Sequence, residues 1–445
     1  MVVSKEVIKP SELKRTYTQP ITRKTMHFST VNEWLNWITT IHTSEIELGL
    51  DRVKQVATQL KLLSPTSKTI CVAGTNGKGS TVAGLEAIYR AAGYQVGVFT
   101  SPVLYKHNEQ VKINGHHPED QEFCKVFEKI AEARGSVSLT PFEFHTLAAL
   151  LLFQQHALDL IILEVGLGGR LDAVNIMDAD VAIITSIDID HVDWLGATRE
   201  KIVLEKAGIF RQGKPAVYGD FFPPSTLITY AKQLNTTLFF QGKDFTFVDE
   251  KVVWSWSSKQ VTYTHLPLTS LALENMSIVL MAIELLQSSL SVSHQAIKDG
   301  FLQVHLPARV QIIPGEITKI FDVSHNPASV AFLAKRLKAM SHLGKTYAVF
   351  SMLIDKDMIN SILAIRDVID DWFYAPLAIK RGASKQELMK AFQQAKVDKA
   401  TFFPSIDQAF EAAESKAKPN DRIIVFGSFH TVANVLKEAD VRTIV

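Results

Sequence analysis

The sequence predicts an α/β protein, because short β-branched segments alternate along the chain with helical patterns. In the first half these segments are TICVAG, YQVGVFTS, LDLIILEVG and ADVAIITSID, and a helix is predicted from Lys78 to Ala92. In the second half the segments are TKIFDVSHNP, KTYAVFSML, DWFYAPLA and DRIIVFGSF, with helices predicted over 327–340 and 405–417. Such alternation is typical of parallel βαβ units. We therefore predict two α/β units, each with a mainly parallel sheet.

A different pattern separates the two units. From about residue 215 to residue 270 the segments TLFFQG, FTFVDE, VVWSWSS and VTYTHL are rich in aromatic residues and alternate in polarity, which predicts strands. Two helices are predicted after them, near 273–290 and 293–303.

Pro307 and Pro314 interrupt the pattern and place a domain boundary between them. The first 25 residues are polar and basic and lack the apolar core of a secretion signal. We expect four parts: a loose extension at 1–25, a larger domain at 26–305, a hinge linker at 306–315 and a smaller, Rossmann-like α/β domain at 316–445.

The composition is that of a folded protein without a strong overall charge. Apolar residues make up 47% of the 445 residues and charged residues 21%, and 47 basic against 46 acidic side chains leave a formal charge of +1. Such a balance offers no general attraction for nucleic acid or for an anionic membrane. The two cysteines cannot form a disulfide framework. We expect a cytoplasmic protein, a monomer that binds small molecules.

The first motif that indicates chemistry lies between the TICVAG strand and the helix after it. It consists of Gly74, Thr75, Asn76, Gly77, Lys78, Gly79 and Ser80. A loop in this position points backbone N–H groups at a phosphate, and Lys78 adds a positive charge. The motif departs from the standard G-x-x-x-x-G-K-[ST] pattern, because Val72 replaces the first glycine and Gly79 follows the lysine. An ordinary glycine-rich turn is the alternative, but the strand–loop–helix setting favours a P-loop for a nucleoside triphosphate.

Three polar side chains follow strands of the predicted first sheet. They are Ser101 after YQVGVFT, Glu164 after LIIL and His191 after AIITSIDID. Carboxyl ends of parallel strands meet at one edge of a sheet, so these groups can converge on a magnesium ion. Each alone has an ordinary explanation as a turn residue, a solvated strand end or a structural histidine. Beside a P-loop, the metal site becomes the favoured interpretation.

The sequence resembles the Mur-ligase-like amide ligases, and within them the branch of bifunctional dihydrofolate synthases/folylpolyglutamate synthases. The resemblance runs from about His42 to Ala433 and rests on the segments HTSEIELGLDRV, VAGTNGKGSTV, AGYQVGVFTSP, SLTPFEFHTLAAL, LEVGLGGRLDAVN, TSIDIDHVDWLG, EKAGIFR, LPARVQ, FDVSHNP, SMLIDKD and GSFHTVA. Ser324 stands where alanine is usual, Pro141 where an aromatic residue is common, and Lys380 where proline often occurs. None of these three departures falls on a residue expected to do chemistry.

The resemblance implies an ATP site between the two domains. The phosphates would lie against Thr75, Asn76, Gly77, Lys78, Gly79 and Ser80. Asn275, Arg309 and Asp322 would contact the nucleotide from the other side, and His325 would lie beside it. Lys78, Lys206 and His325 are the implied catalytic residues.

The same resemblance implies the metal and acceptor sites. Ser101, Glu164 and His191 would ligate magnesium, and Lys206, carbamylated in this family, would help to hold a second ion. The pterin acceptor would contact three short segments, namely Glu45, Ile46, Glu47 and Leu48, then Thr140, Pro141, Phe142 and Glu143, and then Leu171, Asp172 and Ala173.

The implied reaction is ATP-dependent ligation of L-glutamate to dihydropteroate and to reduced folates through an acyl phosphate. A carboxylate is a poor electrophile until phosphorylation gives it a leaving group. Asp355, Lys356, Asp357 and Arg381 offer both charge signs for binding glutamate, or they form an ordinary solvated loop.

Two rival interpretations stay open at this point. One is a Mur-type ligase that acts on a cell-wall nucleotide peptide; LEVGLGGRLDAVN and SLTPFEFHTLAAL favour the folate branch instead. The other is a P-loop switch whose nucleotide only controls a partner. A switch has no need for a second α/β domain with its own charged loops.

Overall fold

The computed structural model of the chain describes residues 27–436. The extension expected at 1–25 therefore lies outside the described residues. Within residues 27–436, no helix is long and apolar enough to cross a membrane.

The first sheet has seven strands in the order β3-β2-β4-β1-β5-β6-β7. All neighbours are parallel except β3, which runs antiparallel to β2. This confirms the predicted mainly parallel sheet. The strands are β1 Lys68–Ala73, β2 Val96–Phe99, β3 Val111–Ile113, β4 Leu160–Glu164, β5 Val181–Ile184, β6 Pro215–Tyr218 and β7 Thr237–Phe240.

Helices cover both faces of this sheet, as a parallel sheet requires. They are α1 Val31–Ile38, α2 Asp51–Gln59, α3 Lys78–Ala91, α4 Asp120–Arg134, α5 Pro141–Gln154, α6 Val192–Leu195, α7 Arg199–Ala207, α8 Ser225–Gln233, α9 Leu273–Leu286 and α10 His294–Gln303. Short 3₁₀ helices span His107–Gln110 and Ala173–Ile176. One core lies between the sheet and α1, α2, α4, α5, α7 and α8; the other lies against α3, α9 and α10.

A small antiparallel sheet packs over the second of these cores. Its strands are β8 Phe245–Asp249, β9 Val253–Ser258 and β10 Thr262–Pro267. Trp254 and Trp256 alternate along β9 with polar residues and are buried, and the indole of Trp256 donates to the Ser277 hydroxyl of α9 at 3.0 Å. The aromatic segment TLFFQG does not join this sheet: it forms β7 of the large one. Alternating polarity predicts strands without saying which sheet they enter.

The second large sheet has six strands in the order β11-β12-β16-β13-β14-β15, and only β11 is antiparallel to its neighbour. The strands are β11 Gln311–Ile313, β12 Thr318–Asp322, β13 Thr346–Phe350, β14 Asp371–Tyr374, β15 Ala400–Phe402 and β16 Arg422–Phe426. Its helices are α11 Pro327–Ala339, α12 Met358–Ile365, α13 Lys385–Gln394, α14 Ile406–Lys416 and α15 Phe429–Val435, with a 3₁₀ turn at Arg366–Val368. The end of the expected linker is thus an edge strand of this sheet.

Two histidines are buried together in the first domain. The ring centroids of His107 and His145 lie 4.2 Å apart, and both rings contact Phe127. Neither Nε2 atom has a hydrogen-bond partner in the described part of the chain. Burial lowers the pKa of His107 to about 4 and holds the pKa of His145 well below its usual value. Both imidazoles are therefore neutral in the folded protein at neutral pH.

This pair predicts a loss of stability in acid. From the ordinary histidine pKa of 6.5 down to about 4, the unfolded chain binds protons that the folded chain does not. The stabilisation is complete above 6.5 and is lost as the pH falls toward 4. We expect His145→Phe to flatten this fall when free energies of unfolding are measured across the range. The exposed His156, changed to Gln, is the control and should keep the wild-type slope; equal slopes for all three proteins would contradict the prediction.

Candidate active site

The site lies at the carboxyl edge of the first sheet, where β1 runs between β4 and β5. Ligands of open parallel sheets bind at such an edge, where successive connections leave to opposite sides. The loop at 74–77 follows β1, and Glu164 ends β4. The segment 185–191 follows β5. The sequence-predicted P-loop and two of the expected metal ligands therefore start from neighbouring strands.

Hydrogen bonds to the segment after β5 hold the loop in shape. The Thr75 N–H donates to the Ser186 carbonyl at 2.8 Å, and the Asp188 N–H donates to the Thr75 hydroxyl at 3.1 Å. The Thr185 hydroxyl donates to the Asn76 carbonyl at 2.6 Å. The loop backbone is therefore held by the protein's own hydrogen bonds.

Gly77 begins α3 in a left-handed conformation with φ +87°. A Cβ atom here would lie 2.3 Å from the Asn275 side-chain oxygen, so only glycine fits between the loop and the start of α9. The first N–H groups of a helix lack partners inside the helix and favour an anion. Asn275, expected at the nucleotide, does lie against this loop. The cradle fits a polyphosphate.

Two lysines, the buried Lys206 and the half-buried Lys78, converge on one carbonyl of the loop. Nζ of Lys78 donates to the Gly74 oxygen at 3.1 Å, and Nζ of Lys206 donates to the same oxygen at 2.9 Å. Burial, followed by the charge of the neighbouring Lys78, lowers the pKa of Lys206 to about 7. Burial also lowers the pKa of Lys78, while Glu164 opposes this effect. Lys206 is therefore partly neutral at physiological pH.

The expected metal ligands lie around the same loop. The Ser101 N–H donates to a Glu164 carboxylate oxygen at 3.3 Å, and burial raises the pKa of Glu164 to about 7. His191 starts α6 with φ +52°, and burial followed by the nearby Lys356 lowers its pKa to about 4. A neutral imidazole and a buried carboxylate both suit a divalent cation. The structure joins Ser101 to Glu164 directly, whereas the His191 ring lies between Asp190 of the first domain and Lys356 of the second.

Within the described residues, no three His, Cys, Asp or Glu side chains form a metal-binding group. Magnesium in phosphate-transferring sites commonly uses one or two protein carboxylates and takes its remaining ligands from phosphate oxygens and water. The donors at Glu164 and Ser101 fit that mode, and they do not fit an all-protein cage.

Among the polar contacts that cross from the first domain to the second, two lie beside the phosphate loop and the expected metal ligands. The side-chain amides of Asn76 and Asn326 pair reciprocally at 2.9 and 3.3 Å. Lys356 donates to the Asp190 carboxylate at 2.7 Å, and both side chains are largely buried. Neither pair was expected from the sequence, because the residues are more than 160 positions apart and no local pattern links them.

Asp322 ends β12 and holds the linker. Its carboxylate accepts hydrogen bonds from the N–H groups of Val310 and Ser324, both at 2.8 Å. Arg309 precedes Val310, and its guanidinium lies 5.9 Å from the ring centroid of Phe429. The described contacts of Asp322 therefore set the backbone that carries Arg309.

His325 lies next to this turn. Its Nδ1 lies 2.9 Å from the Val323 carbonyl, so a proton on Nδ1 is donated there. Burial, followed by the charge of Lys356, lowers the pKa of His325 to about 4. The ring is thus neutral, and Nε2 keeps its lone pair.

The three segments expected to bind the acceptor do lie together. The Gly49 N–H, next to the segment 45–48, donates to the Leu171 carbonyl at 3.2 Å. Thr140 and Glu143 form a capping box at the start of α5, and the ring of Phe142 lies against Gly166. The second of these segments is therefore the beginning of α5.

Asp172 belongs to the third segment and is buried. Its carboxylate accepts from the N–H groups of Leu167 and Val174 at 2.8 and 3.0 Å. Burial raises its pKa to about 6. These bonds fix the glycine-rich turn that precedes it.

The charged loops of the second domain are partly committed to local structure. Arg381 pairs with Asp355 at 2.8 Å, and Asp357 caps α12 by accepting from the Asn360 N–H at 3.1 Å. Within residues 27–436, Lys356 is the one member of this group with a hydrogen bond or ion pair to the first domain.

The fit around Gly77 predicts the effect of adding one methyl group. Gly77→Ala should weaken ATP binding by roughly tenfold or more, because the new Cβ must displace Asn275 or the loop. Gly93→Ala is the matched control: its φ is +91° and nothing lies within 4 Å of its Cβ position. Titration calorimetry with ATP should show near wild-type affinity for the control. Equal affinities for both variants would remove this close approach from the nucleotide site.

Two family models match the chain. The Mur ligase middle domain matches residues 72–220, and the glutamate ligase domain of Mur ligases matches residues 308–429. Among curated proteins, the dihydrofolate synthase/folylpolyglutamate synthase of Escherichia coli is 44% identical over 414 residues, which cover 93% of this chain and 96% of that protein. The protein of the same name from Bacillus subtilis is 28% identical over 92% of this chain and 99% of its own length.

Solved structures agree with these relatives. Escherichia coli FolC in complex with DHPP and ADP superposes with a TM-score of 0.89 at 43% identity, covering 93% of this chain and 99% of that one. A Yersinia pestis bifunctional folylpolyglutamate synthase/dihydrofolate synthase with AMPPNP and Mn gives 0.87 at 43% identity, with the same coverage. From the two family models and these relatives we conclude that the chain belongs to the Mur ligase family, in its dihydrofolate synthase/folylpolyglutamate synthase branch.

Proposed function

We propose that the protein is an ATP-dependent ligase that joins L-glutamate to 7,8-dihydropteroate, forming dihydrofolate, and to the γ-carboxylate of reduced folates, forming folylpolyglutamates. The observation that carries this proposal is the convergence of a phosphate-type loop and the side chains of Lys78 and Lys206 at one sheet edge that faces a second domain. Relatives of the same branch hold DHPP with ADP, or AMPPNP with Mn and L-glutamate.

The reaction has two steps. A carboxylate oxygen of the acceptor attacks the terminal phosphorus of ATP, and ADP leaves. The amine of glutamate then attacks the acyl carbon, loses a proton, and displaces phosphate. Lys78 lies at the loop that would hold the transferred phosphoryl group. Nε2 of His325 has a lone pair for the proton that the glutamate amine loses. Charge stabilisation and positioning account for most of the rate enhancement in such reactions.

We propose Ser101, Glu164 and His191 as the ligands of one magnesium ion, and a carbamate on Lys206 as a ligand of a second. Magnesium, when bound, neutralises phosphate charge and orients the transferred group. The donors fit, because Glu164 is buried beside Lys78 and Lys206 has a pKa near neutrality. Bound metal would offset the cost of ionising Glu164 in this dry site.

Water must be kept from the acyl phosphate, or the mixed anhydride hydrolyses. We propose that the contacts Asn76–Asn326 and Asp190–Lys356 hold the second domain over the loop. Arg309, on the turn held by Asp322, then approaches the phosphates from the second domain. We also propose that the charged loops with Asp355, Lys356, Asp357 and Arg381 bind glutamate, because its two carboxylates and its amine need both charge signs.

The remaining assignments are also proposals. We propose a first domain at 26–305 and a second at 316–445, joined by the linker 306–315. We propose that the acceptor contacts the segments 45–48, 140–143 and 171–173. Both cysteines are free thiols, which suits the cytoplasm. We propose a monomer.

The function is tested by coupling ADP release to its substrates. ADP should form only when ATP, dihydropteroate and glutamate are all present, because the acyl phosphate needs a bound carboxylate and is consumed by the amine. The measurement is steady-state ADP production with each substrate omitted in turn. Equal ADP release without acceptor and glutamate would support the nucleotide switch instead.

Lys206 gives a sharper test of the metal site. An ammonium beside magnesium repels it, whereas a neutral amine can take up carbon dioxide and become an anionic oxygen ligand. We expect Lys206→Ala to lose nearly all activity and to regain part of it with small added carboxylates. Lys201→Ala, an exposed lysine on the same helix, is the control and should be fully active. Full activity of Lys206→Ala in carbon-dioxide-depleted buffer would end the carbamate hypothesis.

A further inference from the structure

The acceptor-binding segment 45–48 has no regular secondary structure of its own. It lies between α1 and α2, and Ile46 within it is exposed. A binding site on a loop needs the loop to be held in one conformation before the ligand arrives, because ordering it costs free energy. Groups outside the segment 45–48 must therefore hold it in place.

Arg52, in the first turn of α2, contacts the segment twice. Its Nη2 donates to the Glu47 carbonyl at 2.9 Å, and its Nη1 pairs with the Glu47 carboxylate. His42 lies on the other side of that carboxylate, with Nε2 3.4 Å from Oε2. The backbone and the side chain of Glu47 are thus both held from an ordered helix.

The same guanidinium also reaches the second acceptor-binding segment. Nη2 of Arg52 lies 3.2 Å from Oε1 of Glu143, and Nε lies 3.4 Å from Oε2. Glu143 is buried, and its Oε2 accepts from the Thr140 N–H at 2.7 Å as part of the capping box of α5. Arg52 therefore connects the loop to the start of α5.

The charges decide what this arginine can do. Two carboxylates face one guanidinium, so Arg52 is more than neutralised and has little attraction left for a carboxylate of the substrate. Its planar guanidinium instead donates to two acceptors that lie in different directions. The ammonium of a lysine fits such a pair of acceptors less well. The geometry favours a clamp over an anion receptor.

We propose that Arg52 is a positioning residue for the pterin acceptor, clamping the loop 45–48 to the start of α5 so that the two walls of the acceptor cleft keep their spacing. This inference rests on the proposed function, since it concerns the acceptor of that reaction. The Gly49–Leu171 hydrogen bond ties the third segment to the same loop. The Arg52 side chain thereby fixes the positions of segments 45–48 and 140–143 relative to each other, although they are distant in sequence.

The test separates acceptor binding from the rest of the reaction. Arg52→Ala should raise KM for dihydropteroate by roughly tenfold or more, with kcat and the KM values for ATP and glutamate within about threefold of wild type. Arg52→Lys should give an intermediate KM for dihydropteroate. Arg199→Ala is the matched control, because Arg199 also pairs with a carboxylate, Asp220, at 2.8 Å. It should leave every parameter unchanged.

Each outcome of these measurements distinguishes failure of the proposed function from failure of the Arg52 proposal. If the wild-type protein shows no turnover that depends on dihydropteroate and glutamate, the proposed function fails. If the wild type is active and Arg52→Ala keeps its KM for dihydropteroate, or raises all three KM values equally, the clamp is wrong while the function stands. If Arg52→Ala does not fold, Arg52→Lys decides: a wild-type KM for dihydropteroate in that variant overturns the need for a guanidinium.

Discussion

The active site depends on one backbone carbonyl. Gly74 presents its oxygen to two amines, that of Lys78 at the start of α3 and that of Lys206 on α7. Two positive charges this close in a dry environment repel each other, so at least one of them loses its proton easily or needs an anion nearby. A bound polyphosphate, a buried carboxylate such as that of Glu164 and a carbamate on Lys206 would each reduce this repulsion between the two ammonium groups. The loop, β4 and α7 are therefore coupled through charge as well as packing.

The second domain completes the site through a few polar contacts of long sequence separation. The amide pair Asn76–Asn326 joins the phosphate loop to the start of α11, and Lys356 meets Asp190 beside the expected metal ligand His191. Buried polar pairs contribute modest net stability but are costly to leave unpaired. Such contacts favour one arrangement of the domains and can still be exchanged for contacts with a nucleotide. They suit a cleft that must open for its substrates and close against water.

The segments proposed to bind the acceptor are held differently, by a helix cap, by backbone hydrogen bonds to a carboxylate and by an arginine. The capping box at the start of α5 and the bonds to Asp172 fix two walls, and Arg52 ties the loop to them. None of these groups needs to touch the acceptor to matter for its binding. Their effect is to fix the backbone of the segments proposed to bind the acceptor.

The sequence by itself predicted the α/β class, the phosphate loop, the strands that precede Ser101, Glu164 and His191, and the family. These follow from local periodicity, from a glycine-rich loop between a strand and a helix, and from motifs in fixed order. It also pointed to the segments 45–48, 140–143 and 171–173, which do meet. The tertiary structure alone decided that the TLFFQG segment joins the large sheet, that Asp322 holds the linker turn, and that Lys206 and Lys78 share one acceptor. It also revealed the pairs Asn76–Asn326 and Asp190–Lys356. These features depend on residues far apart in the chain, and a local pattern carries no information on which distant groups burial will bring together.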